Sequence, residues 1–100
     1  MIIYNVTVKV SHERKEEWIS WMQSNHIPDL LKTGLFVDYA MHELLYVDDE
    51  DGKTYVIQYQ MESIEDYNKY QKEHAAFFQN ESKEKFGEDA LAFRTLMQKV

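Results

Sequence analysis

Two stretches of this chain alternate strictly along their length, and that alone narrows the folds it can adopt. In residues 2–10, IIYNVTVKV, the side chains of Ile2, Tyr4, Val6, Val8 and Val10 point one way, and Ile3, Asn5, Thr7 and Lys9 the other. In residues 53–61, KTYVIQYQM, Tyr55, Ile57, Tyr59 and Met61 share one face, and Thr54, Val56, Gln58 and Gln60 share the other. Period two with β-branched and aromatic enrichment marks strands with a buried face. The segments between and after them read differently. Ser11 stands at a helix N-cap position, with Glu13 in the first turn to suit the helix dipole. Helical spacing then holds from His12 to about Asn25, placing Trp18, Met22 and His26 at i, i+4 and i+8. Pro28 interrupts that run, and residues 29–33 form a short extra turn closed by Gly34.

Residues 35–47, LFVDYAMHELLYV, read as a second strand with a bulge, because neither alternate set is wholly apolar. The acidic turn DDEDG at 48–52 joins it to residues 53–61 as a hairpin. Ser63, with Asp66 three residues on, opens a second helix whose apolar side comes from Tyr67, Tyr70, His74, Phe77 and Phe78. Phe86-Gly87 ends it. A last strand spans 90–100, with Leu91, Phe93, Thr95 and Met97 alternating against Ala92, Arg94, Leu96 and Gln98. The order β-α-β-β-α-β predicts one α+β domain over residues 1–100. It is ferredoxin-like, a four-stranded antiparallel sheet of order 4-1-3-2 with two helices on one face.

Beneath the helices the expected set is Tyr4, Val6, Tyr55, Ile57, Tyr59, Leu91 and Phe93. The opposite face then carries Ile3, Asn5, Thr7, Val56, Gln58, Gln60, Arg94 and Leu96, without the Lys and Glu of a solvated sheet. That composition predicts a homodimer packed sheet against sheet. A monomer with a moderately polar exposed sheet is the alternative.

Charge and composition remove whole classes of function. Eleven basic against eighteen acidic residues leave a net charge of −7, contrary to nucleic-acid binding and to an anionic membrane surface. With no cysteine there are no disulfides, thiolate zinc sites or iron–sulfur clusters. No apolar run approaches the roughly 20 residues that span a bilayer. The first ten residues lack a signal-peptide pattern, so the expected location is cytoplasmic. His12, His26, His42 and His74 lack metal-ligand spacing, and DDEDG lacks the alternation and distal Glu of a calcium loop. Three glycines cannot build a phosphate or dinucleotide loop. No metal and no cofactor is expected.

The segments WISWM (18–22), HIPD (26–29), Thr33-Gly34, TYVIQY (54–59) and FRT (93–95) resemble a family of short bacterial domains of unknown function. That family is assigned to the dimeric α+β barrel, ferredoxin-like superfamily, and the similarity runs over nearly the whole chain. The superfamily includes cofactor-independent monooxygenases, muconolactone isomerases, haem-dependent enzymes and ligand-sensing domains. The resemblance therefore implies a fold and a dimer, and no particular activity.

Among the residues that could carry chemistry, His26 comes first. At the end of the first helix it would be stabilised as imidazolium, with a pKa suited to general acid–base work; alternatively it fixes the HIPD turn. Tyr4, Trp18, Met22, Tyr59 and Phe93 would line a small-molecule site with it, between the helices and the sheet. The alternative for these aromatics is packing. Arg94, inside an apolar strand, must be paired or reach solvent. It binds a ligand carboxylate, or is held structurally, by a salt bridge to Asp38 or Glu43 of a partner chain or by hydrogen bonds to Gln58. Two functions remain: a small-molecule-binding barrel, extending to a cofactor-independent isomerase or monooxygenase, and a non-catalytic module binding a ligand or protein. An enclosed cavity of roughly 300 Å³ beside His26 would mark the first; Trp18, Tyr59 and Phe93 filling that space would mark the second.

Overall fold

The two alternating stretches pair with each other. In the computed structural model, which describes residues Met1–Val100, β1 (Ile2–Val10) and β3 (Lys53–Met61) run antiparallel in the centre of a four-stranded sheet. Their register sets Ile2 opposite Met61, Tyr4 opposite Tyr59, Val6 opposite Ile57 and Val8 opposite Tyr55. Directly opposed residues share a face, so the two apolar sets merge into one surface, and every member of it is buried. The edges are β2 (Asp38–Glu43) beside β3 and β4 (Ala90–Gln98) beside β1, giving the expected order β2-β3-β1-β4.

The first helical arm differs from expectation at both ends. Ser11 does not cap it: its N–H donates to the Asp89 carbonyl at 2.8 Å and its own carbonyl accepts from Arg14 N–H at 3.1 Å. The helix starts only at α1 (Lys15–Trp21). Nor does Pro28 interrupt it. A π turn over Met22–His26 leads directly into α2 (Ile27–Leu31), with Pro28 in the first turn of that segment. Proline lacks an N–H and its ring crowds the carbonyl four residues back, and a widened turn just upstream relieves both. Ser24 Oγ donates to the Ser20 carbonyl at 2.6 Å within the same stretch. In a uniform α-helix His26 would lie about 80° around the axis from Trp18; a turn that absorbs one extra residue brings it to within about 20°.

The second arm opens as expected, with Ser63 Oγ accepting from Asp66 N–H at 3.2 Å. It is two helices, however, α3 (Ile64–Glu73) and α4 (Ala75–Phe86), broken at His74 with φ −130° and ψ −31°. The break turns Phe78 into the core and leaves Phe77 outside, 64 % exposed, so Phe77 is not part of the apolar side. Arg14 ties the arms together: it pairs with Glu17 at 3.1 Å and donates to the Lys85 carbonyl in the last turn of α4 at 3.2 Å.

Two strand expectations also need correction. β2 is shorter than residues 35–47 and has no bulge, because Leu35 and Phe36 drop into the core before it begins. Phe36 packs there on Tyr59 and Tyr70, at ring-centroid distances of 5.2 Å and 5.1 Å. More consequentially, β4 lies in the opposite phase. Val6 faces Arg94, Tyr4 faces Leu96 and Val8 faces Ala92, so these three β4 residues lie on the helix side. Leu91, Phe93 and Met97 point away from the helices. Hydrophobicity alone assigns the bulkier set to the core, but both alternate sets of β4 are partly apolar and alternation cannot choose between them.

Gly52 closes the β2–β3 hairpin against β1. A Cβ there would overlap the Val10 carbonyl, backbone atoms that cannot swing aside. Gly52→Ala is therefore expected to lower unfolding stability by about 1–3 kcal/mol, as overpacking does, read from urea denaturation of the two proteins side by side.

Candidate functional site

The helices leave β4 only partly covered. Beneath α1 and the π turn, Trp18, Met22 and Tyr59 fill most of the space over the sheet, and a small inner cavity of about 40 Å³ remains beside them. Its volume admits one or two waters, well short of the enclosed chamber expected under the first helix. The larger opening lies to one side, between α4 and β4, where an outer cleft of about 400 Å³ runs past Lys83, Gly87 and Glu88. Gln79, Ser82, Ala92 and Arg94 border both spaces and form the junction between them. The small side chain of Ala92 leaves that junction open where a larger one would close it.

Of the expected site residues, Tyr4, Trp18, Met22, His26, Tyr59 and Arg94 come together on the inner cavity. Phe93 does not: it faces the other side of the sheet and is 64 % exposed. Arg94 is not in a seam with Asp38, Glu43 or Gln58 either. It stands on the helix side and forms no salt bridge, unlike Arg14, which holds both Glu17 and Asp89.

Tyrosines surround it. Tyr4 lies 5.6 Å from Tyr67, 5.6 Å from Tyr70 and 6.0 Å from Tyr59, centroid to centroid. Burial raises the pKa of the Tyr4 phenol, opposed by the nearby Arg94 charge. Burial likewise pushes Tyr59 and Tyr70 well above the ordinary phenol range. At neutral pH all three are therefore uncharged hydroxyls able to donate or accept.

His26 occupies a different environment from the one its sequence position suggested. It lies inside a continuous helical path, so no free helix C-terminus favours its charge. Its ring packs against Trp21, tilted by 31°, at 4.8 Å and meets Phe78 edge-on at 5.8 Å. Desolvation lowers its pKa from 6.5 to about 4, with the Arg94 charge acting in the same direction and Asp29 opposing. The neutral ring forms no ion pair with Glu81, whose Oε1 is 4.0 Å from Nδ1, and Nδ1 is buried without a hydrogen-bond partner. No three His, Asp or Glu side chains cluster to hold a metal ion, and no helix is long and apolar enough to cross a membrane.

The full chain, residues 1–100, matches the family model described as Domain of unknown function (DUF4286). The chain belongs to that family. No curated protein matches it. Solved structures resemble this DUF4286 chain in fold at low sequence identity. A dimeric ferredoxin-like protein from an uncultured marine organism superposes with TM-score 0.71 at 10% identity, covering 99% of this chain and 97% of that one. An antibiotic biosynthesis monooxygenase gives TM-score 0.64 at 14% identity, over 100% and 99% of the two chains. A hydroxynitrile lyase from Passiflora edulis gives 0.57 at 15% identity, over 99% and 95%. The fold of the DUF4286 chain is thus the ferredoxin-like α+β fold, and it carries different chemistries in different proteins.

Sequence reading missed Gln79, Ser82 and Ala92. Gln79 directly follows the inward-facing Phe78 and Ser82 lies one turn further along α4, so polar residues on the apolar side of a helix were the available signal.

The unfolded chain takes up a proton on His26 near pH 6.5 and the folded chain only near pH 4. Stability from this group is complete above pH 6.5 and falls as pH drops through that interval, because the unfolded state binds the proton first. The loss should reach about 3 kcal/mol by the acid end. His26→Phe keeps the stacking and removes the titration. Urea unfolding at neutral pH and at about pH 4.5 should show a smaller acid loss in the variant; equal losses would show that His26 is not the titrating group.

Proposed function

We propose that this chain is a cytoplasmic homodimer, joined sheet against sheet, that binds a small organic molecule in the cleft between α4 and β4. The observation that carries the binding site is Arg94, a guanidinium without a salt-bridge partner at the junction of two connected cavities. In a chain of net charge −7, whose four α-helices all carry carboxylates, a cation left without a salt bridge beside neutral phenols is a place for something from outside. The inner cavity offers aromatic walls, and the junction offers the Gln79 amide and the Ser82 hydroxyl. Apolar walls with a few convergent polar groups, the usual form of a ligand site, are found in the inner cavity, and the outer cleft adds a mainly polar rim.

The dimer rests on the outer sheet face. Phe93 is 64 % exposed, Leu91 59 % and Met97 38 %, and they share that face with Asn5, Thr7 and Gln58. The phase of β4 strengthens the seam read from the sequence, since it places these apolar side chains there and moves Arg94 away. A structural neighbour described as a dimeric ferredoxin-like protein accords with this.

Catalysis is a second reading, and one observation favours it. His26 lines the inner cavity while its Nδ1 is buried on the Glu81 side, so Nε2 is the nitrogen left to meet a ligand. In that reading His26, a weak base with its pKa lowered to about 4, relays a proton only for a strongly acidified C–H or phenol of the bound molecule, without a cofactor, and the tyrosines orient the substrate. It predicts that His26→Gln binds a turned-over ligand but does not convert it.

Light scattering is expected to give twice the 12.0 kDa chain mass, and Phe93→Glu to give a folded monomer. A wild-type monomer would remove the seam. For the cleft, an NMR screen of small organic acids and neutral compounds is expected to find binders of the wild-type protein that Ala92→Trp, which plugs the junction, no longer holds. Binders indifferent to that plug would place binding elsewhere.

A further inference from the structure

We infer that the molecule taken by the α4–β4 cleft is a small monocarboxylic acid, held by its carboxylate on Arg94 at the junction while its body lies in the outer cleft. This rests on the ligand-site reading above and adds the chemical class. The sizes of the two spaces divide the ligand into parts. The inner cavity, about 40 Å³, is too small for a ring or a chain but suits the oxygen end of a head group. The outer cleft, about 400 Å³, has room for the remainder; Ala90, Leu91 and Ala92 are its apolar wall, and the rest of its lining is mainly polar, so only a short apolar body laid along β4 fits it. A ligand spanning both must place an atom group at Arg94, because Arg94 borders each.

What that group is follows from the junction's chemistry. A guanidinium presents two parallel N–H donors that match the two oxygens of a carboxylate. The other polar groups at hand, the Tyr4 and Tyr70 hydroxyls, the Ser82 hydroxyl and the Gln79 amide, can all donate a hydrogen bond. These groups can also accept, so it is the guanidinium, a donor only, that selects an anion, and each neighbour can turn a hydrogen toward its oxygens. A cationic head group is excluded by Arg94 itself. A phosphate dianion is poorly matched, because the junction has one guanidinium and no backbone nest. The outer cleft also passes the C-terminal end of α4 at Gly87 and the carboxylate of Glu88, which repel a second negative charge. Lys83 on the same rim offsets part of that repulsion, consistent with one net negative charge and no more.

Arg94 forms no salt bridge within the chain and is exposed, so Arg94→Gln and Arg94→Lys should both fold as the wild type does. The test uses the wild-type homodimer with benzoate, phenylacetate and hexanoate, each beside its primary amide, followed through the Arg94 Nε–H and Trp18 indole NMR signals. At least one acid is expected to shift both signals while its amide does not. Its affinity should fall about tenfold or more in Arg94→Gln, with a smaller loss in Arg94→Lys, which keeps the charge but not the fork. An amide that binds as well as its acid, or an acid indifferent to Arg94→Gln, overturns the carboxylate assignment and leaves the cleft as a ligand site. If no acid and no amide moves either signal, both the assignment and the ligand site fall.

Discussion

Everything in this domain hangs on the antiparallel pairing of β1 with β3. Nine opposed residue pairs, from Ile2 with Met61 to Val10 with Lys53, bring two alternating apolar rows onto one face and present it to the helices. Tyr4 and Tyr59, directly opposite each other, are 2 % and 1 % exposed; Tyr67 and Tyr70 of α3 pack on Tyr4, and Phe36 from the segment before β2 packs on Tyr59. Slipping either strand by one residue would send every one of these side chains to the other face. The core, the floor of the inner cavity and the placement of the edge strands all inherit this register.

The central strands were legible because one of their faces is buried and the other is not built for the same purpose, so period two is clean in them. The hairpin, the Ser63 cap and the strand order follow from equally local signals. β4 was legible as a strand but not in its phase. Its two alternate sets, Leu91/Phe93/Met97 and Ala92/Arg94/Leu96, are each partly apolar, and an apolar row looks the same in a sequence whether or not the chain's own core buries it. The distinction lies in β1, whose Val6 selects Arg94 as its neighbour.

His26 shows a second kind of limit. Its position on the Trp18–Met22 stripe was readable, but its electrostatics were not, because they depend on how the chain passes Pro28. A stop there would have left His26 at a helix terminus. The widened turn carries the helix on and places the imidazole between Trp21 and Phe78, where desolvation dominates. The junction residues Gln79 and Ser82 were hidden for a different reason. They lie on a helix where polar residues are common and the apolar stripe is weak, and only the gap between α4 and β4 gives them a shared purpose.

The alternation of β4 has a consequence for how such sequences can vary. Phe93 and Arg94 are consecutive residues on opposite faces of the sheet, one toward the outer surface and one toward the cleft. Both are positioned by the short 3-10 segment Gly87–Asp89 that feeds the strand. Inserting or deleting one residue in that connection would exchange the two faces, setting an apolar ring in the cleft and a charge on the outer surface, without altering a single side chain of the strand. The exposed part of the β2–β3 turn ahead of the buried Gly52 has no such parity to keep, whereas the step from α4 to β4 tolerates changes of residue more readily than a change of one in length.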